Sequence, residues 1–133
     1  NRTPKEIEGV TIVDKETLFK ESDIVTLHIA LNNETRDFVT AKEITSMKDT
    51  AIIINAARGP VINAQDLSDA LKEGKIAGAA LDVYDVEPPL DKNNPLLSAP
   101  NTMLLPHIGF ATKEAFELRL CIVVRNVENF CNR

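Results

Sequence analysis

In Ala77-Gly78-Ala79-Ala80-Leu81-Asp82-Val83-Tyr84-Asp85-Val86-Glu87-Pro88-Pro89, an apolar run of small residues gives way to a short acidic segment that ends in two prolines. Small side chains suit a parallel strand packed closely between helices. Proline lacks the backbone N–H that a sheet ladder requires, so the chain must leave the sheet here. The stretch predicts a buried strand that ends in a loop, with Asp82 and Glu87 near its carboxyl end. Because ligands bind outside the carboxyl ends of the strands in an open parallel sheet, this loop is a candidate site.

Short β-branched runs alternate with helical patterns along the rest of the chain, which predicts an α/β fold with a parallel sheet. The predicted strands are residues 10–13, 24–29, 51–55, 77–81 and 102–105. The run 51–55 is almost entirely apolar, as expected of a strand that helices cover on both faces. No repeat or linker interrupts the pattern, which predicts a single domain.

Capping residues mark where the predicted helices begin, at Asp14, Thr40, Asn63 and Thr112. Thr40 and Glu43 have the spacing of a capping box, in which each side chain bonds the other's backbone N–H. Gly74 is expected to end the helix 64–72, because glycine readily adopts the left-handed conformation found there.

Two of these helices show which side is expected to face the core. In the first, 15–21, Leu18 and Phe19 are expected to point inward. The last helix has an apolar stripe at helical spacing that predicts core packing; its members are Phe116, Leu120, Val123, Val127 and Phe130. Cys121 and Cys131 lie too far apart along this helix to form a disulfide, and two free thiols are expected of a cytoplasmic protein.

Composition excludes several classes of protein. The 133 residues are 44% hydrophobic and 26% charged, so the chain can bury a core as a soluble domain. A net charge of -5 provides no basic surface for nucleic acid or an anionic membrane. The apolar runs are far shorter than a membrane span, which needs about 20 residues. The polar start at Asn1 predicts a cytoplasmic protein without a signal peptide. The two histidines and two cysteines lack metal-ligand spacing, so no metal is expected.

The glycine pattern bears on the kind of α/β fold. A doubly wound nucleotide-binding domain begins with a strand, a glycine-rich turn and a helix whose N-terminus holds the pyrophosphate. Only five glycines occur here, and none form a G-x-G-x-x-G array. The chain is therefore expected to start partway through such a fold.

Four segments resemble the signatures of the D-isomer-specific 2-hydroxyacid dehydrogenases. They are Ser22-Asp23-Ile24-Val25-Thr26-Leu27-His28, Asn55-Ala56-Ala57-Arg58-Gly59, the stretch 78–88 and Pro106-His107-Ile108-Gly109. The resemblance implies a Rossmann-like parallel sheet, incomplete at its N-terminus because the glycine-rich turn is absent. Residues 1–111 would be the second part of the dinucleotide-binding domain, and 112–133 a helix returning toward a substrate domain. Ala30 and Phe110 depart from the family's usual proline and small residue.

The resemblance implies three catalytic residues whose chemistry suits the reduction of a 2-keto acid. The planar fork of Arg58 can bind the substrate carboxylate, although a surface or ion-paired arginine is the alternative. His107 can donate the proton, although a histidine after proline can also be a simple turn residue. Glu87 can bond His107, favour its protonated form and fix its tautomer; otherwise it is a solvated acid.

The same resemblance implies a cofactor, NAD or NADP. Asp82 would contact the nicotinamide carboxamide; the alternative is a turn acid at a strand end. Ala56 and Ala57 would line the cofactor site, and His28, within a strand, would serve as a packing residue or touch the cofactor's edge. If Arg2 lies at the end of the second strand, it can accept a 2′-phosphate and favour NADP; otherwise it is a solvated loop charge.

Two classes of function are compatible with these residues. The first is an NAD(P)-dependent oxidoreductase that interconverts a 2-keto acid and a D-2-hydroxy acid, a homodimer when complete and inactive as this chain alone. The second is a cofactor-sensing interaction protein, because transcriptional corepressors resemble this family. Retention of all three catalytic residue types favours the enzyme.

Overall fold

The computed structural model describes residues 8–132 and has a four-stranded parallel sheet in the order β1-β2-β3-β4. The strands are β1 (Ile24–Leu27), β2 (Ile52–Asn55), β3 (Gly78–Leu81) and β4 (Thr102–Leu104), and the helices are α1 (Lys15–Glu21), α2 (Ala41–Ser46), α3 (Ala64–Lys72) and α4 (Lys113–Cys131). Short 3-10 turns occupy Gly59–Val61 and Pro95–Ser98. The predicted α/β class is confirmed. Since all neighbouring strands are parallel, their carboxyl ends share one edge.

One face of the sheet is buried and the other is largely open. Val25, Ile53 and Ala79 are paired in register and are all buried against a core that includes residues of α1, α2 and α3. On the opposite face, Ile24 is 60% exposed and Met103 is 62% exposed. The expectation that helices cover 51–55 on both faces is therefore wrong for the described residues, because helices α1 to α3 contribute to the core on one side only.

The helix caps form as the sequence predicts. Asp14 Oδ1 accepts from Thr17 N at 2.7 Å, and Asn63 Oδ1 accepts from Asp66 N at 3.1 Å. Gly74 has φ +66° just past the end of α3, a left-handed conformation that glycine adopts without strain. These signals are confirmed because each depends on contacts within a few residues.

Two expectations near the start of the described chain are wrong. Residues 10–13 do not form a strand: only Val10 takes part in an isolated bridge, and its side chain is exposed. In α1, Phe19 is fully buried as expected, but Leu18 is 42% exposed because it lies on the solvent side of a short helix. Arg2 lies outside the described residues.

Helix α4 begins as predicted, with Thr112 Oγ1 accepting from Ala115 N at 3.1 Å, but it does not join the core. None of its residues is buried, and Phe130 is 78% exposed. The expectation that its apolar stripe packs in the core is wrong, because no described element covers that stripe. Cys121 and Cys131 are both on α4, free and exposed. Within residues 8–132, no helix has the length and apolar character needed to cross a membrane.

A polar cluster joins α1 to α2. Glu43 Oε2 accepts from Thr40 N at 2.9 Å, completing the predicted capping box, and Oε1 lies 2.9 Å from Lys15 Nζ. Lys15 also donates to the carbonyl of Phe38 and lies 4.1 Å from the centre of its ring. Although burial opposes the charge, the bonds from Lys15 and Thr40 lower the pKa of Glu43 to about 2.

Replacing Glu43 with glutamine is expected to lower the free energy of unfolding at pH 7 by about 1–2 kcal/mol. The folded pKa lies below the unfolded one, so this stabilisation is complete above about pH 4.5 and is lost as the pH falls toward 2. Urea unfolding of the wild type and Glu43→Gln at pH 7, 5 and 3 measures the difference. The exposed Glu21→Gln variant is the control, and a gap between wild type and Glu43→Gln that is independent of pH would contradict this role.

Candidate active site

Residues from successive strand ends meet at the carboxyl edge of the sheet. His28 follows β1, Ala56 and Ala57 follow β2, and together with Arg58 they line an open cleft of about 450 Å³. The structure thus brings together four of the predicted site residues. The sequence predicts His28 within the strand 24–29, but the structure places it just past the end of β1. Its Nε2 is 3.0 Å from Thr26 Oγ1.

The buried side chain of Asn55 holds the loop that carries Arg58. Asn55 is 1% exposed; its Oδ1 accepts from Ala57 N at 3.0 Å and its Nδ2 donates to the carbonyl of Arg58 at 2.9 Å. The Arg58 side chain donates to the carbonyl of Ala57 at 2.6 Å, and no carboxylate within residues 8–132 forms an ion pair with it. In the sequence, the only signal for this role of Asn55 is an amide at the end of an apolar strand.

Gly59 lets the Arg58 loop touch the turn after β3. A Cβ added at Gly59 would lie 2.0 Å from the carbonyl carbon of Tyr84, so only glycine fits between these two backbones. Tyr84 in turn donates its backbone N–H to Glu87 Oε1. The turn at Tyr84 therefore links Glu87 to the loop that carries Arg58.

Glu87 also bonds His107, which lies past the end of β4. Its Oε2 is 2.5 Å from His107 Nδ1. An ionised carboxylate can only accept, so Nδ1 carries the proton, and the described structure provides no hydrogen-bond partner for Nε2. The His107 side chain remains 43% exposed and meets the Phe110 ring edge-on, with centroids 6.5 Å apart. The geometry suits proton exchange at Nε2 by an imidazole whose orientation is fixed.

A largely apolar cavity of about 500 Å³ adjoins this pair. Its lining includes the pair itself and the surrounding side chains Tyr84, Pro88, Leu90, Leu97, Leu104, Leu105, Pro106 and Phe110. The cavity therefore gives the pair of Glu87 and His107 an apolar surround on one side, while the His107 ring stays partly open to solvent.

Asp82 lies under the segment that carries His107. It is 7% exposed, and its two oxygens accept from Ile108 N at 2.8 Å and Gly109 N at 2.7 Å. A Cβ at Gly109 would lie 2.8 Å from Asp82 Oδ2, so a larger residue there would force this carboxylate to shift. The sequence placed Asp82 at the strand end but did not reveal this contact. Among the described residues, no three side chains of His, Cys, Asp or Glu cluster in a way that could hold a metal ion.

Comparison with known proteins connects this chain to one family. Residues 1–109 match the sequence model of the D-isomer specific 2-hydroxyacid dehydrogenase, NAD binding domain. The chain is 44% identical over 125 residues to the hydroxypyruvate reductase of Blautia hydrogenotrophica; the match spans 94% of this chain but 38% of that protein.

Two solved structures share the fold. One is the D-isomer specific 2-hydroxyacid dehydrogenase from Lactobacillus delbrueckii ssp. bulgaricus in its NAD-complexed form, with a TM-score of 0.79 and 30% identity over 90% of this chain and 40% of that one. The other is the acyclic imino acid reductase Bsp5 in complex with NADPH and D-Arg, with a TM-score of 0.87 and 33% identity over 99% of this chain and 42% of that one. The chain therefore spans well under half the length of each relative.

Replacing Gly59 with alanine is expected to destabilise the chain by more than about 2 kcal/mol, because the clash is with backbone that cannot rotate away. Gly74→Ala is the matched control: its added Cβ meets nothing within 4 Å, and only its positive φ is unfavourable, at about 1 kcal/mol. Urea unfolding of the two variants compares these costs. A Gly59→Ala chain no less stable than Gly74→Ala would contradict the close packing of the two loops.

Proposed function

Because the chain belongs to the D-isomer specific 2-hydroxyacid dehydrogenase family, we propose that it provides the proton donor and the substrate anchor of an NAD(P)-dependent oxidoreductase. The reaction interconverts a 2-keto acid and a D-2-hydroxy acid within a protein of the relatives' length. The observation that carries the proposal is the 2.5 Å contact between His107 Nδ1 and Glu87 Oε2, at the same sheet edge as Arg58.

The three residues divide the work of reduction. Arg58 binds the substrate carboxylate through its planar fork and so positions the neighbouring carbonyl. A bound reduced nicotinamide supplies the hydride that adds to the carbonyl carbon. His107 gives the proton on Nε2 to the carbonyl oxygen, which becomes the hydroxyl, and then regains a proton from solvent. Glu87 holds the Nδ1 proton throughout, so the ring keeps its orientation.

The cleft beside Arg58 suits a dinucleotide cofactor. Its walls at Ala56 and Ala57 are methyl groups, which leave room for a flat ring and its ribose, and His28 adds a polar edge. Asp82 is proposed to accept from the nicotinamide carboxamide as well, since each carboxylate oxygen has two lone pairs and the protein uses one bond on each. The choice between NAD and NADP, and the proposed role of Arg2 in it, stay predictions.

The complete protein is proposed to be a cytoplasmic homodimer. Two free, exposed cysteines support a reducing compartment, and the open apolar stripe of α4 supports association. The alternative, a cofactor-sensing interaction protein, is less well supported because a sensor needs no oriented proton donor. Turnover measured with a panel of 2-keto acids separates the two.

In the full-length protein, His107→Asn is expected to lower kcat by about 10²- to 10⁴-fold, because the proton donor is lost. Asparagine tolerates the left-handed backbone that His107 adopts, at φ 55°, so the loop is preserved. The dissociation constant of NADH, measured by fluorescence, is expected to change by less than about twofold. Unchanged turnover in His107→Asn would refute the assignment.

Replacing Arg58 with lysine keeps the charge but removes the fork, so kcat/KM for the keto acid is expected to fall by about 10- to 100-fold. Steady-state kinetics with the keto acid varied at saturating cofactor measures this loss. Arg125→Lys, an exposed position on α4, is the matched control. If Arg58→Lys behaves like the control, Arg58 is a surface residue and not the substrate anchor.

A further inference from the structure

His107 lies in a backbone conformation that its neighbours must enforce. Its φ is 55°, in the left-handed region that non-glycine residues seldom occupy. Such a residue persists when the surrounding structure over-determines its backbone, and such residues cluster at functional sites. Residues 105–109, here called the histidine segment, make the contacts that hold the His107 backbone.

The front of the histidine segment is held at Leu105. Its N–H donates to the carbonyl of Leu81 at 2.9 Å, and its carbonyl accepts from the Tyr84 hydroxyl, also at 2.9 Å. Burial raises the pKa of Tyr84, and the charges of Asp82 and Glu87 raise it further. The phenol therefore stays protonated at neutral pH and remains a donor. Tyr84 is 9% exposed, so little water competes for this bond.

The back of the segment is held by Asp82, whose two oxygens accept from the N–H groups of Ile108 and Gly109. Charged acceptors make the stronger class of hydrogen bonds. Only Pro106 and His107 lie between the two anchors, and the proline ring fixes one of their φ angles. The anchors thus leave the backbone of His107 few alternatives.

We propose that the Tyr84 hydroxyl and the Asp82 carboxylate form a two-point clamp that positions the His107 imidazole for proton transfer. This inference rests on the proposed function, because it assigns positioning residues for that reaction. The two clamp residues belong to the turn that also presents the Tyr84 N–H to Glu87. One turn therefore aligns both members of the Glu87 and His107 pair.

Tyr84→Phe in the full-length protein tests the clamp, because it removes one hydroxyl and keeps the buried ring. We expect kcat to fall by about 10-fold, since small misplacements of a catalytic group carry losses of this order. The KM for the keto acid and the dissociation constant of NADH should change by less than about twofold. The solvent deuterium isotope effect on kcat should rise, because proton transfer becomes more rate-limiting.

Ser68→Ala is the matched control for stability. Ser68 is fully buried, and its hydroxyl, like that of Tyr84, donates to a backbone carbonyl, that of Pro95, at 2.9 Å. It makes no hydrogen bond to the histidine segment. Both variants should lose a similar amount of thermal stability, whereas only Tyr84→Phe should lose kcat. A Tyr84→Phe enzyme within twofold of wild-type kcat, or an equal loss of kcat in Ser68→Ala, would overturn the clamp.

Two further measurements separate the clamp from the reaction on which it rests. If the wild type turns over no 2-keto acid, or His107→Asn retains full activity, the proposed function fails and the clamp fails with it. If the wild type is active and His107→Asn is not, an unchanged Tyr84→Phe refutes the clamp alone. Amide hydrogen exchange at Ile108 and Gly109 should be faster in Tyr84→Phe than in Ser68→Ala; equal rates would count against the clamp.

Discussion

Hydrogen bonds from the acidic turn that follows β3, residues 82–87, determine how the site is assembled. Through Asp82, Tyr84 and Glu87 this turn bonds the histidine segment at three places, the carbonyl of Leu105, the His107 ring and the amides that follow it. The bonds of Tyr84 and Asp82 are partly buried, a setting in which leaving a donor or acceptor unpaired would cost about 1–3 kcal/mol. The strand that the turn follows, β3, lies between β2 and β4 in the sheet.

Two glutamates illustrate how the same local geometry serves different ends. Glu43 and Glu87 each accept the backbone N–H of the residue three positions earlier. In Glu43 this reach completes a helix cap, and the second oxygen bonds Lys15. After Glu87, the prolines at 88 and 89 offer no N–H groups with which to continue a helix. The second oxygen of Glu87 bonds His107, which follows a distant strand.

The described chain leaves much apolar surface uncovered. One sheet face and the whole of α4 are open, although both carry large apolar side chains. Burial of apolar area is the main favourable term in folding, so these surfaces contribute little to the stability of the described structure. The site, in contrast, lies at the carboxyl edge of the sheet and is held by hydrogen bonds between side chains and backbone groups at the strand ends. Its internal geometry can be complete while the surrounding surfaces are open.

The sequence by itself determined the helix caps, the four strands of the sheet and the identity of Arg58, Glu87 and His107 as candidates. Caps at Asp14 and Asn63 depend on partners three residues away, and the strands show in their apolar runs, so these features are local. Only the tertiary structure decided that Leu18 and the stripe of α4 are exposed and that 10–13 is not a strand, because burial and pairing depend on what packs nearby. Only the tertiary structure, likewise, identified Asn55, Tyr84 and Asp82 as positioning residues. Asp82 and Tyr84 meet partners 21 to 27 positions away, whereas Asn55 bonds only within its own loop and needed the fold to show which groups its amide reaches. A contact between distant residues leaves no periodicity in the chain, so it becomes visible only once the sheet has brought the strand ends together.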